Sequence, residues 1–158
     1  MQCKERLEAY LRQNKVAFES RRHPEAFTAQ EVAANEHIPG KLLAKVVMVY
    51  LEGRMAMLVL PAPYRVDLAK VSEELGGQEV RLAREDEFAG LFEDCEVGAM
   101  PPFGNLYNLP IYVDRLLIED ETIVFQAGTH RDVIFMKYAD YERLVKPTVL
   151  DLAALAVA

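Results

Sequence analysis

The residues of this chain that could take part in chemistry are a lysine, a loop rich in glycine and proline, and a glycine turn followed by a histidine. Lys45 stands near the start of the apolar run AKVVMVYL, residues 44–51. A lysine at a strand end often extends its ammonium group to solvent. The same group beside a pocket can hold a phosphate, a carboxylate or a developing oxyanion. Both interpretations of Lys45 remain open from its position.

The segment VGAMPPFGNLYNLPIYVD, residues 97–114, begins as an unusually apolar and stiff connector. Gly98 and Gly104 allow backbone conformations and close approaches that a Cβ atom would block. Pro101 and Pro102 fix φ and supply no N–H donor. Such a loop can present its remaining N–H groups to a bound carbonyl. The alternative is an ordinary rigid loop packed on the core.

The segment AGTHRD, residues 127–132, ends a predicted strand with Ala and Gly. A glycine in this position is typical of a place where the backbone approaches a ligand closely. Thr129 and His130 follow the glycine, and His23 stands just before a predicted helix. An isolated histidine is more often a surface or structural residue, so both histidines are candidates with that alternative open.

The sequence lacks the common motifs of cofactor, metal and nucleophile sites. It contains no G-x-x-x-x-G-K-[ST], G-x-G-x-x-G, H-E-x-x-H, C-x-x-C or G-x-S-x-G pattern. Cys3 and Cys95 have no metal-ligand spacing and indicate no disulfide framework. We expect Cys95 to be a small buried residue, because no histidine lies near it in sequence to support a nucleophile. The sequence therefore predicts no cofactor and no metal.

Length and charge limit the class of protein. The 158 residues predict one domain, residues 1–158, with its own core. The net charge of −7 argues against broad binding to a nucleic-acid backbone, which needs many cations, but allows contact with a few terminal nucleotides. No apolar run is long enough for a membrane span, and the N-terminus lacks the layout of a signal peptide. With the cysteine usage, this predicts a cytoplasmic protein without a membrane partner.

The predicted elements mix helices and strands. Thr28 and Glu31 form a capping box that begins a helix, and two apolar runs joined at EGR form a hairpin covered on both faces. The last residues, VLDLAALAVA, are predicted as a helical or frayed tail. The order of elements predicts an α+β domain with a mixed or largely antiparallel sheet.

Five segments of the chain carry a resemblance to a known family: RRHPEAFTAQEVA, AKVVMVY, VGAMPPFG, IYVD and QAGTHRDVIFM. In this order the chain resembles the YbaK/ProX family of aminoacyl-tRNA deacylases, which also occurs as the editing insertion of bacterial prolyl-tRNA synthetases. The resemblance spans nearly the whole chain. It implies a single α+β domain whose mixed, barrel-like sheet is flanked by helices.

The resemblance also implies which residues form the site. The family's strand lysine falls on Lys45, its strand-end aspartate on Asp114, and its small-residue turn on Gly128. His130 coincides with a histidine found in some members. The predicted catalytic residues are Lys45, Gly98, Gly104 and His130. The predicted substrate-binding residues are Met100, Pro101, Phe103, Asp114, Gly128, Thr129 and His23.

The implied reaction is hydrolysis, in trans, of the ester that joins a wrong amino acid to the 3′-terminal adenosine of tRNA. In this hypothesis the loop amides bind the ester carbonyl, Lys45 holds a phosphate or the carbonyl oxygen, and His130 orients the water or the terminal nucleotide. Met100 and Phe103 would limit the size of the pocket. The hypothesis requires that the Lys45 ammonium group and the loop amides meet in one cavity.

The expected partner is the acceptor end of a mischarged tRNA, bound weakly because of the acidic net charge. An aminoacyl-tRNA synthetase or an elongation factor is a further candidate partner. Two other functions remain open at this point. One is a non-catalytic module that binds a tRNA end or a synthetase, and the other is a hydrolase of small aminoacyl esters.

Overall fold

The computed structural model describes residues 2–26 and 28–155. The α-helices of this part of the chain are α1 (Cys3–Gln13), α2 (Ala29–Glu36), α3 (Leu68–Glu74), α4 (Glu85–Phe88) and α5 (Tyr138–Val145). The strands are β1 (Phe18–Arg22), β2 (Ala44–Leu51), β3 (Arg54–Pro61), β4 (Tyr64–Val66), β5 (Val80–Leu82), β6 (Ile111–Asp114), β7 (Thr122–Gln126), β8 (Asp132–Lys137), β9 (Thr148–Leu150) and β10 (Ala153–Leu155). None of the described helices is both long and apolar enough to cross a membrane.

The strands form a mixed arrangement of sheets. The largest sheet has five strands in the order β5-β2-β3-β6-β9, with β6 parallel to β3 and β9 parallel to β6. A three-stranded antiparallel sheet has the order β1-β8-β7, and β4 pairs with β10. A parallel bridge from Leu43 to Val124 connects the two larger sheets. The predicted mixed α+β class is confirmed, but the sheet does not close into a barrel, because it is divided into these separate ladders.

The β2–β3 hairpin is the centre of the molecule, as its apolar sequence predicts. Alternate side chains of each strand point to opposite faces. Ala44 and Met48 face a cluster that includes the loop residue Phe103, whereas Val49 and Leu51 face a second cluster. The hairpin turns at Glu52 and Gly53, both with positive φ, which matches the twist of the strands.

Side-chain caps begin two of the helices. The Thr28 hydroxyl accepts a hydrogen bond from Glu31 N at 3.1 Å and donates to Glu31 Oε1 at 3.0 Å, at the start of α2. The Asp67 carboxylate accepts from Lys70 N at 3.1 Å at the start of α3. Each side chain satisfies a backbone donor that the helix itself cannot. The predicted helix start at Thr28 is therefore confirmed, whereas the Glu31 carboxylate contacts the Thr28 hydroxyl and not the Thr28 backbone N–H that a complete capping box requires.

The C-terminal segment differs from the prediction. Instead of a helical tail its described residues form β9 and β10, of which β9 pairs with β6 and β10 with β4, and residues 156–158 of the predicted tail lie outside the described residues. Asp114, at the end of β6, fixes this segment, because its carboxylate accepts from Leu152 N at 2.9 Å and Ala153 N at 3.1 Å. Strand pairing and this buried carboxylate override the helical propensity of an alanine- and leucine-rich tail. The predicted strand IYVDRLLI also stops at Asp114.

Candidate functional site

The glycine–proline loop and the glycine turn, which are separate in sequence, lie against each other. Gly128 N donates to Ala99 O at 2.9 Å, and Glu96 N donates to Gly128 O at 2.8 Å. These two hydrogen bonds hold the Gly128 backbone against the segment 96–99. Two of the three sequence features that could do chemistry therefore form one surface.

His130, which follows the glycine turn, bonds to residues 96 and 97. The residue is 8% exposed, its backbone N–H donates to Glu96 Oε1 at 2.9 Å, and its ring Nε2 lies 2.9 Å from Val97 O. Because a carbonyl oxygen only accepts, Nε2 carries the proton in this contact. His130 thus holds the two residues that precede Gly98 in the loop.

Gly98 stands at the exposed end of the loop. Its φ is +85°, and a Cβ atom there would lie 3.5 Å from His130 Cε1. Ala99 N donates to Glu96 O at 3.1 Å, whereas the amides of Gly98 and Met100 have no hydrogen-bond acceptor among the described residues. Gly98 is therefore an exposed residue with an unused backbone donor among the described residues, next to a histidine ring.

The other end of the loop belongs to the core. Phe103 is fully buried, with its ring centroid 5.3 Å from that of Tyr141 and 5.5 Å from that of Phe125. Met100 and Pro101 are also buried, and a Cβ atom on Gly104 would lie only 3.0 Å from Ile111 Cγ1. These residues hold the loop to the molecule. Contact of Met100, Pro101 and Phe103 with substrate, and a catalytic role of Gly104, stay predictions.

Lys45 occupies a different place from the loop. It pairs with Leu60 across the hairpin and shares a face with it, and Leu60 belongs to the second cluster. Met100 and Phe103 pack on the opposite face, with Ala44. Lys45 is half-buried, and this burial lowers the pKa of its ammonium group. Strand alternation therefore places the Lys45 side chain on the other face of the hairpin from Met100 and Phe103. A common cavity for the ammonium group and the loop amides stays a prediction.

The remaining predicted residues are held by internal contacts. Asp114 is fully buried, and its carboxylate accepts from Leu116 N at 3.0 Å in addition to the two amides of the C-terminal segment. Thr129 Oγ1 donates to Asp132 Oδ2 at 2.6 Å. His23 is 7% exposed, and its Nδ1 donates to Pro24 O at 2.6 Å. Its Nε2 is buried without a hydrogen-bond partner among the described residues.

A cleft of about 430 Å³ opens beside Gly128. It is lined by residues 2–4 at the start of α1, by residues 93–96 and by the Gly128–Thr129 turn, and Lys45 is not among the described residues that line it. Of its charged side chains, three are carboxylates, those of Glu93, Asp94 and Glu96, and one is the ammonium group of Lys4. Lys4 Nζ lies 3.7 Å from Asp132 Oδ1, so the cation is already balanced.

Cys3 and Cys95 form a disulfide at the floor of this cleft, with Cα atoms 5.0 Å apart. The expectation that the cysteines set up no disulfide is wrong. The two residues are 92 positions apart, and only the docking of α1 on the loop brings them together. The cysteines therefore no longer support a reducing compartment, because that argument assumed that they form no disulfide. The cytoplasmic location stays a prediction.

Sequence reasoning missed two members of this surface. The disulfide carries no spacing signal, and Glu96 stands in the acidic stretch EDCE, where nothing marks it. A carboxylate oxygen of Asp94 and the two sulfurs lie within 4.8 Å of one another, the kind of cluster that can hold a metal ion. In the disulfide form the sulfurs are bonded to each other and are not thiolate ligands.

The comparisons with known proteins agree with this architecture. Residues 23–144 match the family model of the aminoacyl-tRNA editing domain. The chain is 32% identical over 104 residues to the multifunctional Ser/Thr-tRNA deacylase ProXp-y of Escherichia coli K12, a match that covers 63% of this chain and 60% of that protein. It is 30% identical over 100 residues to the proline–tRNA ligase of Acidithiobacillus ferrooxidans, covering 63% of this chain and 17% of the ligase.

Solved structures show the same fold. A hypothetical protein superposes with a TM-score of 0.84 at 22% identity, over 94% of this chain and 99% of its own. A candidate trans-editing enzyme for prolyl-tRNA synthetase superposes with a TM-score of 0.82 at 22% identity, over 96% of this chain and 97% of its own. With a family model that covers most of its length, the chain belongs to the aminoacyl-tRNA editing domain family.

Proposed function

We propose that this protein hydrolyses, in trans, the ester bond between a mischarged amino acid and the 3′-terminal adenosine of tRNA. Membership of the editing family and the identity to a protein named as a Ser/Thr-tRNA deacylase support the reaction class. The structural observation that carries the proposal is at Gly98, an exposed residue beside His130 whose amide has no acceptor among the described residues.

The proposed hydrolysis needs no nucleophilic side chain. An aminoacyl ester is already reactive, so positioning and stabilisation of the oxyanion can supply most of the rate. Water adds to the ester carbonyl, the Gly98 N–H donates to the resulting oxyanion, and the tetrahedral intermediate collapses with loss of the ribose hydroxyl. The products are the free amino acid and uncharged tRNA. His130 orients the attacking water or the terminal nucleotide.

Lys45 completes the proposal as a charge that holds the tRNA end. Since strand alternation puts its side chain on the face opposite Met100 and Phe103, a phosphate of the acceptor end is a better ligand for its ammonium group than the oxyanion. Its lowered pKa has a defined consequence. As pH rises, Lys45 loses its charge before an exposed lysine does, so its contribution to binding is lost first at alkaline pH.

Recognition of tRNA is confined to the acceptor end in this proposal, because the net charge of −7 does not favour long contacts with the phosphate backbone. The occurrence of a related segment in a proline–tRNA ligase supports association with a synthetase. Exclusion by size discriminates best against larger residues, which suits an editing site that removes small amino acids and spares a larger correct one. Serine, threonine, alanine and cysteine are the amino acids to test.

The test is release of free amino acid from a panel of mischarged tRNAs by the wild type, Lys45→Met and Lys41→Met. Lys41 is an exposed lysine nearby, so its replacement makes the same change in net charge. We expect Lys45→Met to raise KM at least tenfold and Lys41→Met to leave it within twofold. Full activity in a folded Lys45→Met protein would contradict the role of Lys45.

The same panel separates the two rival functions. Binding of uncharged tRNA without release of any amino acid would indicate a non-catalytic module. Equal turnover of aminoacyl-tRNA and of the matching amino acid ethyl ester would indicate a hydrolase of small esters, since nothing beyond the carbonyl would then be recognised.

A further inference from the structure

The Cys3–Cys95 disulfide joins the first residue of α1 to the residue that precedes Glu96 and the exposed end of the loop. We propose that this bond is a reversible redox switch of the editing site. The oxidised bond holds Glu96 to Gly98 in place, and exchange with a small monothiol releases them and lowers activity. Only the activity part of this proposal rests on the proposed function.

The bond is in direct contact with the groups that shape the site. A Cβ atom on Gly128 would lie 2.7 Å from Cys3 Sγ, so the sulfur packs against the turn itself. Next to Cys95, Glu96 donates its N–H to Gly128 O at 2.8 Å and accepts from His130 N at 2.9 Å. A shift of residue 95 therefore moves Glu96 and disturbs two of the hydrogen bonds that hold the turn.

A small thiol can reach the bond through the cleft. Cys95 is half-buried and lines the cleft of about 430 Å³, whereas Cys3 is 3% exposed. An entering thiolate forms a bond to Cys95 Sγ, and the sulfur–sulfur bond breaks with Cys3 leaving as a thiolate. A second monothiol then attacks the sulfur of the first in this mixed disulfide. The two monothiols leave as a disulfide, and Cys95 is released as a thiolate. Two thiols become one disulfide, and the protein gains two electrons and two protons.

Contacts that do not involve the sulfur–sulfur bond also hold the 93–96 segment to α1 and to Tyr107. Cys3 N donates to Asp94 O at 2.9 Å, and Arg6 Nη1 lies 3.6 Å from Asp94 Oδ2. Tyr107 Oη donates to Asp94 Oδ1 at 2.9 Å and lies 3.3 Å from Cys95 Sγ. These contacts keep the cysteines near each other after reduction, so the bond can form again. This is the behaviour of a switch, in contrast to that of a bond whose loss unfolds the domain.

The experiment equilibrates the full chain in buffers of reduced and oxidised glutathione, traps free thiols by alkylation and counts them by mass spectrometry. Deacylation of a mischarged tRNA is measured in the same samples. We expect the disulfide fraction to change smoothly and reversibly with the buffer, and kcat/KM to be at least fivefold higher in the oxidised form. A Cys3→Ser/Cys95→Ser variant should match the reduced form in every buffer. A difference below twofold, or thiols that never oxidise, would overturn the proposal.

A second measurement keeps this proposal separate from the editing activity. Hydrogen exchange of the amides in 96–99 and 128–130 should be faster in the reduced protein, and exchange in the β2–β3 hairpin should be unchanged. If neither form deacylates tRNA, the proposed function fails, and exchange still decides the structural part of the switch. Equal exchange in both forms would show that the disulfide does not control this surface.

Discussion

The two glycines of the 97–104 loop have opposite surroundings. Gly98 is exposed, has a φ of +85° and lies beside the His130 ring. Gly104 is buried, and the side chains of Ile111 and Leu109 occupy the space where a Cβ atom would lie. In sequence they look alike, since an apolar residue precedes each of them, Val97 before Gly98 and Phe103 before Gly104. The difference shows that one end of the loop presents the backbone to the surface while the other end anchors it.

The anchor explains how an exposed amide can be held in a fixed direction. Phe103 packs among aromatic rings, and the Pro102 carbonyl accepts from Tyr141 Oη at 2.7 Å. Two prolines between the ends limit the flexibility of the backbone. A donor held this way needs little reorganisation when an oxyanion forms, which is the condition for effective electrostatic stabilisation.

The largest expected effect is on activity, at Gly98. In Gly98→Ala the positive φ becomes strained and the methyl group lies against His130. The backbone then relaxes, and the N–H no longer points to the position proposed for the oxyanion. We expect kcat/KM for mischarged tRNA to fall about 100-fold, as when one oxyanion donor is lost, and the free energy of unfolding to fall by about 1 kcal/mol.

Gly77→Ala is the matched control for Gly98→Ala. Gly77 has a φ of +89° and no atom within 4 Å of the position a Cβ would take. It should show the same loss of stability with unchanged kcat/KM. If both variants keep full activity, Gly98 does not supply a donor in the transition state, and the contrast between the two ends of the loop has no chemical meaning.

Part of this architecture follows from the sequence. The Thr28 N-cap and the β2–β3 hairpin depend on contacts between residues close in sequence, and both are confirmed. The C-terminal strands were missed because they exist only through pairing with distant strands, with Asp114 as their acceptor. Local propensity carries no information about such partners.

The site shows the same limit at a finer scale. Strand alternation could have predicted that Lys45 and the apolar side chains of the loop lie on opposite faces, had the position of the loop been known. The disulfide and the contact of Glu96 with His130 depend on how α1 and the turn dock on the loop. Residue types therefore identified the loop and the turn as parts of the surface. Which end of the loop is exposed and which is buried depends on packing, which the sequence does not show.

A smaller effect is expected on stability, at Gly104. A methyl group in Gly104→Ala would lie 3.0 Å from Ile111 Cγ1 and 3.4 Å from Leu109 Cβ. Its backbone has no positive φ to strain, so the cost is overpacking, about 2 kcal/mol in chemical denaturation. Gly90→Ala is the control, because nothing lies within 4 Å of its Cβ position. Loss of activity in Gly104→Ala beyond its loss of folded protein would show that the buried end also contacts substrate.

The smallest expected effect tests the hydrogen bond that anchors the prolines. Tyr141→Phe leaves the buried Pro102 carbonyl without its donor and should lower the free energy of unfolding by about 1–2 kcal/mol. Tyr138 is the comparison, because its buried hydroxyl has no hydrogen-bond partner among the described residues, so Tyr138→Phe should be neutral or stabilising.

Burial raises the pKa of both phenols, that of Tyr138 to about 12. Both are protonated from pH 7 to pH 9, and urea denaturation across that range should give one constant difference between the variants. Equal stability of Tyr141→Phe and Tyr138→Phe would mean that the aromatic packing of Phe103 anchors the loop without this bond.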